Sequence, residues 1–224
     1  MESCLRDKPV HQLFPGNRRH QGGNTILEFA IIAPFFIMTF FGTVGLGLMF
    51  GRYIQAVHVC RDIAHMYSDG VDFTQSQSQN IVVQLAAGTG MTATGGNGAV
   101  ILSRIVTVYQ ADCDAAGYSG SCNNLNQQVI TQRIRFGDTT LRSSAFGTPT
   151  QTLINAQGNI ALSVYLQNTD SSVRATGFGS LLAVAGAVQG DGDAAYVAEV
   201  FFAYPDLYYL GLSALGGAYA RFIF

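Results

Sequence analysis

RRHQGGNTILEFAIIAPFFIMTFFGTVGLGLMFGRYIQAVHVCRDIAHMYSDG, residues 18–70, holds the reading on which the rest depends. Phe29 to Phe50 contains no charged residue. A helix rising ~1.5 Å per residue over that run covers the roughly 30 Å of a bilayer's hydrocarbon core. A cleaved secretory signal would have a shorter apolar core and a small-residue site beyond it. Here the chain continues instead with helix-compatible spacing at Ile54, Val57, Cys60, Ile63, Ala64 and Tyr67. The segment therefore reads as a retained anchor that runs on into a helix outside the bilayer. Arg6, Lys8, Arg18 and Arg19 precede it, opposed by Glu2 and Asp7. That bias places residues 1–23 in the cytoplasm as a basic leader and everything after Gly51 outside, with Arg52 and Tyr53 at the outer interface.

Within the helix, Pro34 removes one backbone donor and predicts a local kink. Gly47 and Gly51 stand at small-xxx-small spacing. They carry two readings, the ordinary glycine enrichment of membrane helices or a close contact with another helix. Glu28 lies at the mouth of the apolar run, where a carboxylate is costly unless paired or at the interface. It also favours the positive end of the helix dipole.

The junction as a whole, a basic leader ending in Gly23, then Asn24, with Glu28 as the fifth residue onward, resembles the class III signal of type IV pilins and pseudopilins. GNTILEFAIIAPFF followed by GLMFGRYIQAVHVCRDIAHMYSDG is most similar to the TadE-like pseudopilins of the tight-adherence (Tad, type IVb) pilus. Glu28, Phe29, Ala30, Pro34, Gly51, Arg52 and Arg61 carry that likeness. The resemblance covers about residues 16–70 and implies cleavage between Gly23 and Asn24 by a prepilin peptidase. It makes Glu28 the carboxylate that meets a neighbouring subunit's amino terminus, a pairing that makes its burial tolerable. It also implies other pilins or pseudopilins, and the inner membrane, as partners. Asn24 departs from the Phe or Met usual at that mature position. The long outer domain points to a minor component rather than the bulk subunit.

The expected class is α+β: a long N-terminal transmembrane helix followed by a small antiparallel sheet with helices on one face. The expected divisions are a leader over 1–23, the helix and its extension over 24–69, and an exported domain over 70–224. FTQSQSQNIVVQLAAGTGM predicts a second helix, capped by Thr74 or Ser76, packing through Ile81, Val82 and Leu85 and stopped at Gly88. A flexible TATGGNG loop is expected next. AVILSRIVTVYQ and QQVITQRIRFG read as two strands of a hairpin. The second is expected to alternate Val129, Thr131, Arg133 and Arg135 against Ile130, Gln132, Ile134 and Phe136. NIALSVYLQN is a candidate strand, AAYVAEVFFAYP a central strand broken only by Glu199, and YARFIF a final edge strand.

Between the hairpin strands, Cys113 and Cys122 sit in a tip rich in Asp, Gly, Ser and Asn. In an oxidising compartment a disulfide is the favoured reading, since two thiols without a nearby His fall short of a zinc shell. Cys4 falls in the leader. Cys60 is expected to be free, with pairing between subunits as an alternative.

Composition narrows the chemistry. Charged residues make up 12% and net charge is −2 over 224 residues, so no basic field is offered to nucleic acid. His58, Asp62 and His65 share a helix face, but one helix does not complete a coordination shell. GTGMTATGG follows a predicted helix rather than a strand, so the dinucleotide fingerprint fails on context. GDGDAA and DCDAAG match no EF-hand loop and suffice as turns. The expectation is a protein with no catalytic residues, metal or cofactor.

Overall fold

The computed structural model describes residues 24–118, 120, 122–168, 170–186, 188–205 and 217–224. The leader, including Gly23 and Cys4, lies outside the described residues. The chain divides into two compact units, Met1–Val44 and Gly45–Phe224. A single helix, α1 (Asn24–Ser68), contributes to both.

In the first unit, α1 is apolar on every side. Ile26 is 73% exposed, Phe35 70% and Met38 77%. A helix with no polar face is stable in water only if protein covers it, and in lipid it needs no cover. Two of its hydroxyls are satisfied locally: Thr39 Oγ1 donates to the carbonyls of Phe35 and Phe36, and Thr43 Oγ1 to that of Phe40. Pro34 sits inside the helix without ending it.

In the second unit, α1 acquires a buried stripe. Ala56, Val59, Cys60, Ile63, Ala64 and Tyr67 are buried at the three-to-four residue spacing of one helix face. Ile54, expected on that stripe, is 54% exposed, because it lies on the opposite side of the helix from Ala56.

The sheet has four antiparallel strands in the order β4-β3-β5-β6, with β3 (Gly98–Thr107), β4 (Gln128–Gly137), β5 (Ala194–Ala203) and β6 (Gly217–Ile223). The hairpin β3–β4 and the central place of β5 agree with the reading of the sequence. Alternation in β4 does not hold throughout. A register shift pairs Arg104 with Gln132 but Ile105 with Ile130, leaving Thr131 as an extra residue. Ile130 consequently points to the opposite face from Ile134 and Phe136, which restores its packing with Ile105.

Each sheet face has its own core. One face presents Val100, Leu102, Ile134, Phe136, Ala198, Val200 and Phe202 to α1 and to Phe73 and Val82. There α2 (Ser76–Leu85) buries Val82, with Ala86 buried just beyond its end, while Ile81 is 48% and Leu85 39% exposed. The expected Ile81–Val82–Leu85 face is thus rotated. Neither expected cap is used. The N-cap is Gln75, and the Asp72 carboxylate organises the entry by accepting from Thr74 N, Thr74 Oγ1 and Gln75 Nε2.

The opposite face is covered by residues 141–185, which go beyond the expected one-sided helical layer. Phe146, Ile160, Ala175 and Phe178 pack there on Ile105, Ile130, Ala195 and Val197. The segment carries two short helices, α4 (Leu162–Gln167) and α5 (Phe178–Ala185). The candidate strand NIALSVYLQN is corrected by α4: only Asn159 and Ile160 make isolated bridges before the helix starts. Its helix is fixed from outside, since buried Asn124 donates to the carbonyls of Tyr165 and Asn168 at its end. The TATGGNG stretch is likewise no loose loop. β1 (Met91–Thr92) and β2 (Gly95–Gly96) pair there as a tight antiparallel hairpin.

Candidate functional site

Three places on the chain carry features beyond packing: the N-terminal part of α1, the disulfide tip, and a polar cluster under the 141–147 loop.

On α1, Asn24 begins the helix and Glu28 lies one turn in, on an exposed stretch, with an interaction of its own. Open space surrounds Gly47 and Gly51, since a Cβ built on either would meet nothing within 4 Å. The helix is long and apolar enough to cross a membrane over Thr25–Ser68, with a mean hydropathy of 2.1 in its most apolar window. Only 6% of that window is buried, so it is no core helix, and the segment suggests a membrane anchor. Cys60, by contrast, is fully buried, and its thiol donates to the carbonyl of Ala198 at 3.4 Å. That placement corrects the idea that it could pair between subunits, because no second thiol can reach it while α1 is docked.

The tip follows β3 as α3 (Gln110–Ala115). Cys113 and Cys122 are disulfide-bonded with Cα atoms 5.8 Å apart, and both are buried. The surrounding loop is well tied. Tyr109 N donates to Asp112 Oδ2 at 2.8 Å, and the Tyr109 hydroxyl donates to the carbonyl of Gln189. Gln189 in turn accepts from Thr107 Oγ1 and donates to Ile105 O and Asp193 O. Arg174 Nε donates to Asn124 Oδ1 at 2.9 Å.

The polar cluster is what sequence reasoning missed. Glu199 is 2% exposed in the middle of β5. Its Oε2 accepts from Ser144 Oγ at 2.5 Å, and its Oε1 accepts from Ala145 N at 2.9 Å and from the Tyr219 hydroxyl at 2.6 Å. Arg133 lies at 4.0 Å from Glu199, near enough for attraction but not for a hydrogen bond. Arg133 Nη2 donates to Gly147 O, while its Nε and Nη1 and the Ser103 hydroxyl have no partner. Burial draws the Arg133 guanidinium down to about 10, against the pull of Glu199, so it stays charged at neutral pH. Burial, and then the bond to Glu199, push the Tyr219 phenol up. The one signal in the sequence was a lone carboxylate in an otherwise apolar strand. The arrangement pins residues 144–147 over the sheet. It offers no nucleophile–base pair, and its acid is fully engaged.

His58, Asp62 and His65 are all exposed on α1. Among the described residues, no group of three His, Cys, Asp or Glu side chains is gathered that could hold a metal ion.

No curated protein and no solved structure matches the chain. One family model does, and it falls on the first of the three places. Residues 23–65 match the model described as TadE-like protein, a stretch that takes in Gly23, Asn24, Glu28, Pro34, Gly47 and Gly51. Over those residues the chain is TadE-like, consistent with a TadE-like protein of the Tad pilus.

Proposed function

We propose that the protein is a minor pilin-like component of a Tad-type (type IVb) pilus or a related secretion filament. The observation that carries this reading is the coincidence of the TadE-like match with a Gly23–Asn24 junction, Glu28 five residues on, and an apolar helix exposed on every side. In this reading residues 1–23 are a cytoplasmic leader removed by a prepilin peptidase, and 24–69 anchor the chain in the inner membrane. Residues 70–224 form the exported domain. Glu28 then pairs with the free amino group of a neighbouring pilin, which lowers the cost of holding a carboxylate among apolar helices. Gly47 and Gly51 let a neighbouring helix approach closely. The role is structural, with neither substrate nor cofactor, and the disulfide suits an oxidising compartment.

The test is a Gly23→Leu variant produced alongside the wild type in a cell that makes the filament. Loss of maturation, with loss of co-purification with the other pilins, is the expected result. Normal maturation and association in that variant would contradict the proposal. It would leave an unprocessed, signal-anchored envelope protein whose domain binds a surface ligand or partner.

A further inference from the structure

The two edges of the sheet are treated differently. The outer edge of β4 is closed along most of its length. Arg133 N donates to Gly158 O at 2.7 Å, and Ile160 N to Thr131 O at 2.9 Å. Ala175 N donates to Gln128 O, and Gly137 N to Ala93 O. Gly158 lets this cover lie flat, because its φ is +77° and a Cβ there would meet Arg133 O at 2.8 Å.

The outer edge of β6 has no such cover among the described residues. Tyr196 and Phe224 exchange both backbone bonds, so by alternation Phe222, Ala220 and Ala218 also bond inward to β5. Gly217, Tyr219, Arg221 and Ile223 therefore turn their N–H and C=O groups outward. An uncovered row of this kind is a template for another strand, and folds usually blunt it. This one is not blunted by a proline or by a bulge.

Its surroundings say what would fit. On one side of the edge, Arg221 lies over the Phe146 ring at 4.8 Å and Arg142 over the Tyr219 ring at 3.9 Å. Both arginines are exposed, and no salt bridge joins either to a described acid. On the other side, a cavity of about 390 Å³ runs between α1 and β6, lined by Tyr53, Val57, Ala220 and Phe222 among others. A strand added here would alternate side chains between these two environments. A second copy of β6 would set Arg221 among like charges, which opposes self-pairing. A second copy's β4 is already covered.

We infer that the edge of β6 left uncovered by the described residues is a docking strip for an extended segment of a partner protein with alternating acidic and apolar side chains. The acids face Arg221 and Arg142, and the apolar residues enter the groove beside Tyr53 and Val57. Main-chain bonds to Tyr219, Arg221 and Ile223 hold the segment, and charge sets its identity. The inference concerns the folded domain alone and stands whether or not the leader is processed.

The test uses the full chain in detergent micelles and two blocked, fluorescent peptides, VEVEVEV and VKVKVKV, read by anisotropy. The glutamate peptide should bind about tenfold more tightly than the lysine peptide, with Arg221→Glu reversing the preference. Arg221→Pro removes an outward-facing donor together with the side chain that lies over Phe146, and should abolish binding of both while the chain still melts cooperatively. Should that variant unfold, Arg221→Glu carries the test alone. Equal binding of the two peptides, binding retained in a folded Arg221→Pro chain, or a monomer–dimer equilibrium that this variant abolishes would each overturn the inference.

Discussion

Glu199 shows how much a single buried charge can organise. It joins the middle of β5 to β6 through Tyr219 and to the 144–147 loop through Ser144 and Ala145. Removing it strands Arg133, which is 4% exposed and already has two unpartnered nitrogens. Glu199→Ala should therefore cost about 3–5 kcal/mol in urea unfolding of the full chain. A paired Arg133→Met, Glu199→Leu replacement should recover part of that loss, since both ionic desolvation penalties go together while Ser144, Ala145 and Tyr219 still lack their acceptor. A second prediction concerns exposed carboxylates. Asp72, Asp138 and Asp170 are held below the usual aspartate range by hydroxyl and backbone N–H donors from Thr74, Thr140 and Ser172. Lowered folded values mean that their contribution is present above the ordinary aspartate range and lost as pH falls through the folded values. The urea midpoint should drop in acid, and Asp170→Asn, which keeps an accepting oxygen for Ser172 N, should flatten part of that drop.

Among the elements, α1 and the strands of the four-stranded sheet were legible because their patterns are long and of one kind. The 29–50 run, the β-branched stretch of β3 and the apolar stretch of β5 need no partner to be recognised. Elements fixed by tertiary contacts were not. α4 spans only six residues, with β-branched Val164 and aromatic Tyr165 at its middle, and its end is held by Asn124 from another loop. Thr131 gives no local sign of a bulge, since its cause is the packing of Ile130 on Ile105. At the site, the Gly23–Glu28 spacing was readable, and it lies within the stretch that the family model covers. The Glu199 cluster was not, because its partners stand 20 to 55 residues away in sequence. The docking of α1 predicts that Ile63→Ala, at a fully buried position, destabilises the domain by about 2–5 kcal/mol in denaturant unfolding. Cys60 should stay unreactive towards thiol reagents until the domain unfolds. Reducing the Cys113–Cys122 disulfide, which closes a separation of 9 residues, should cost about 2–3 kcal/mol. Asn124 and Tyr109 hold the tip by other bonds, so reduction should leave the circular dichroism spectrum close to native.

At the scale of the whole molecule, an apolar helix left exposed among the described residues continues into a domain that is well packed on both sheet faces. A domain with its own cores needs no filament to fold, whereas among the described residues the apolar side chains of the 25–44 stretch are left largely exposed. That asymmetry is what a membrane anchor shared with an assembly would require. The measurement that tests the account most directly is the mature N-terminus, by intact mass and N-terminal peptide mapping, with and without the prepilin peptidase. A chain that starts at Asn24 only when that enzyme is present is the predicted result. A retained leader, or a start beyond Phe50, would contradict it.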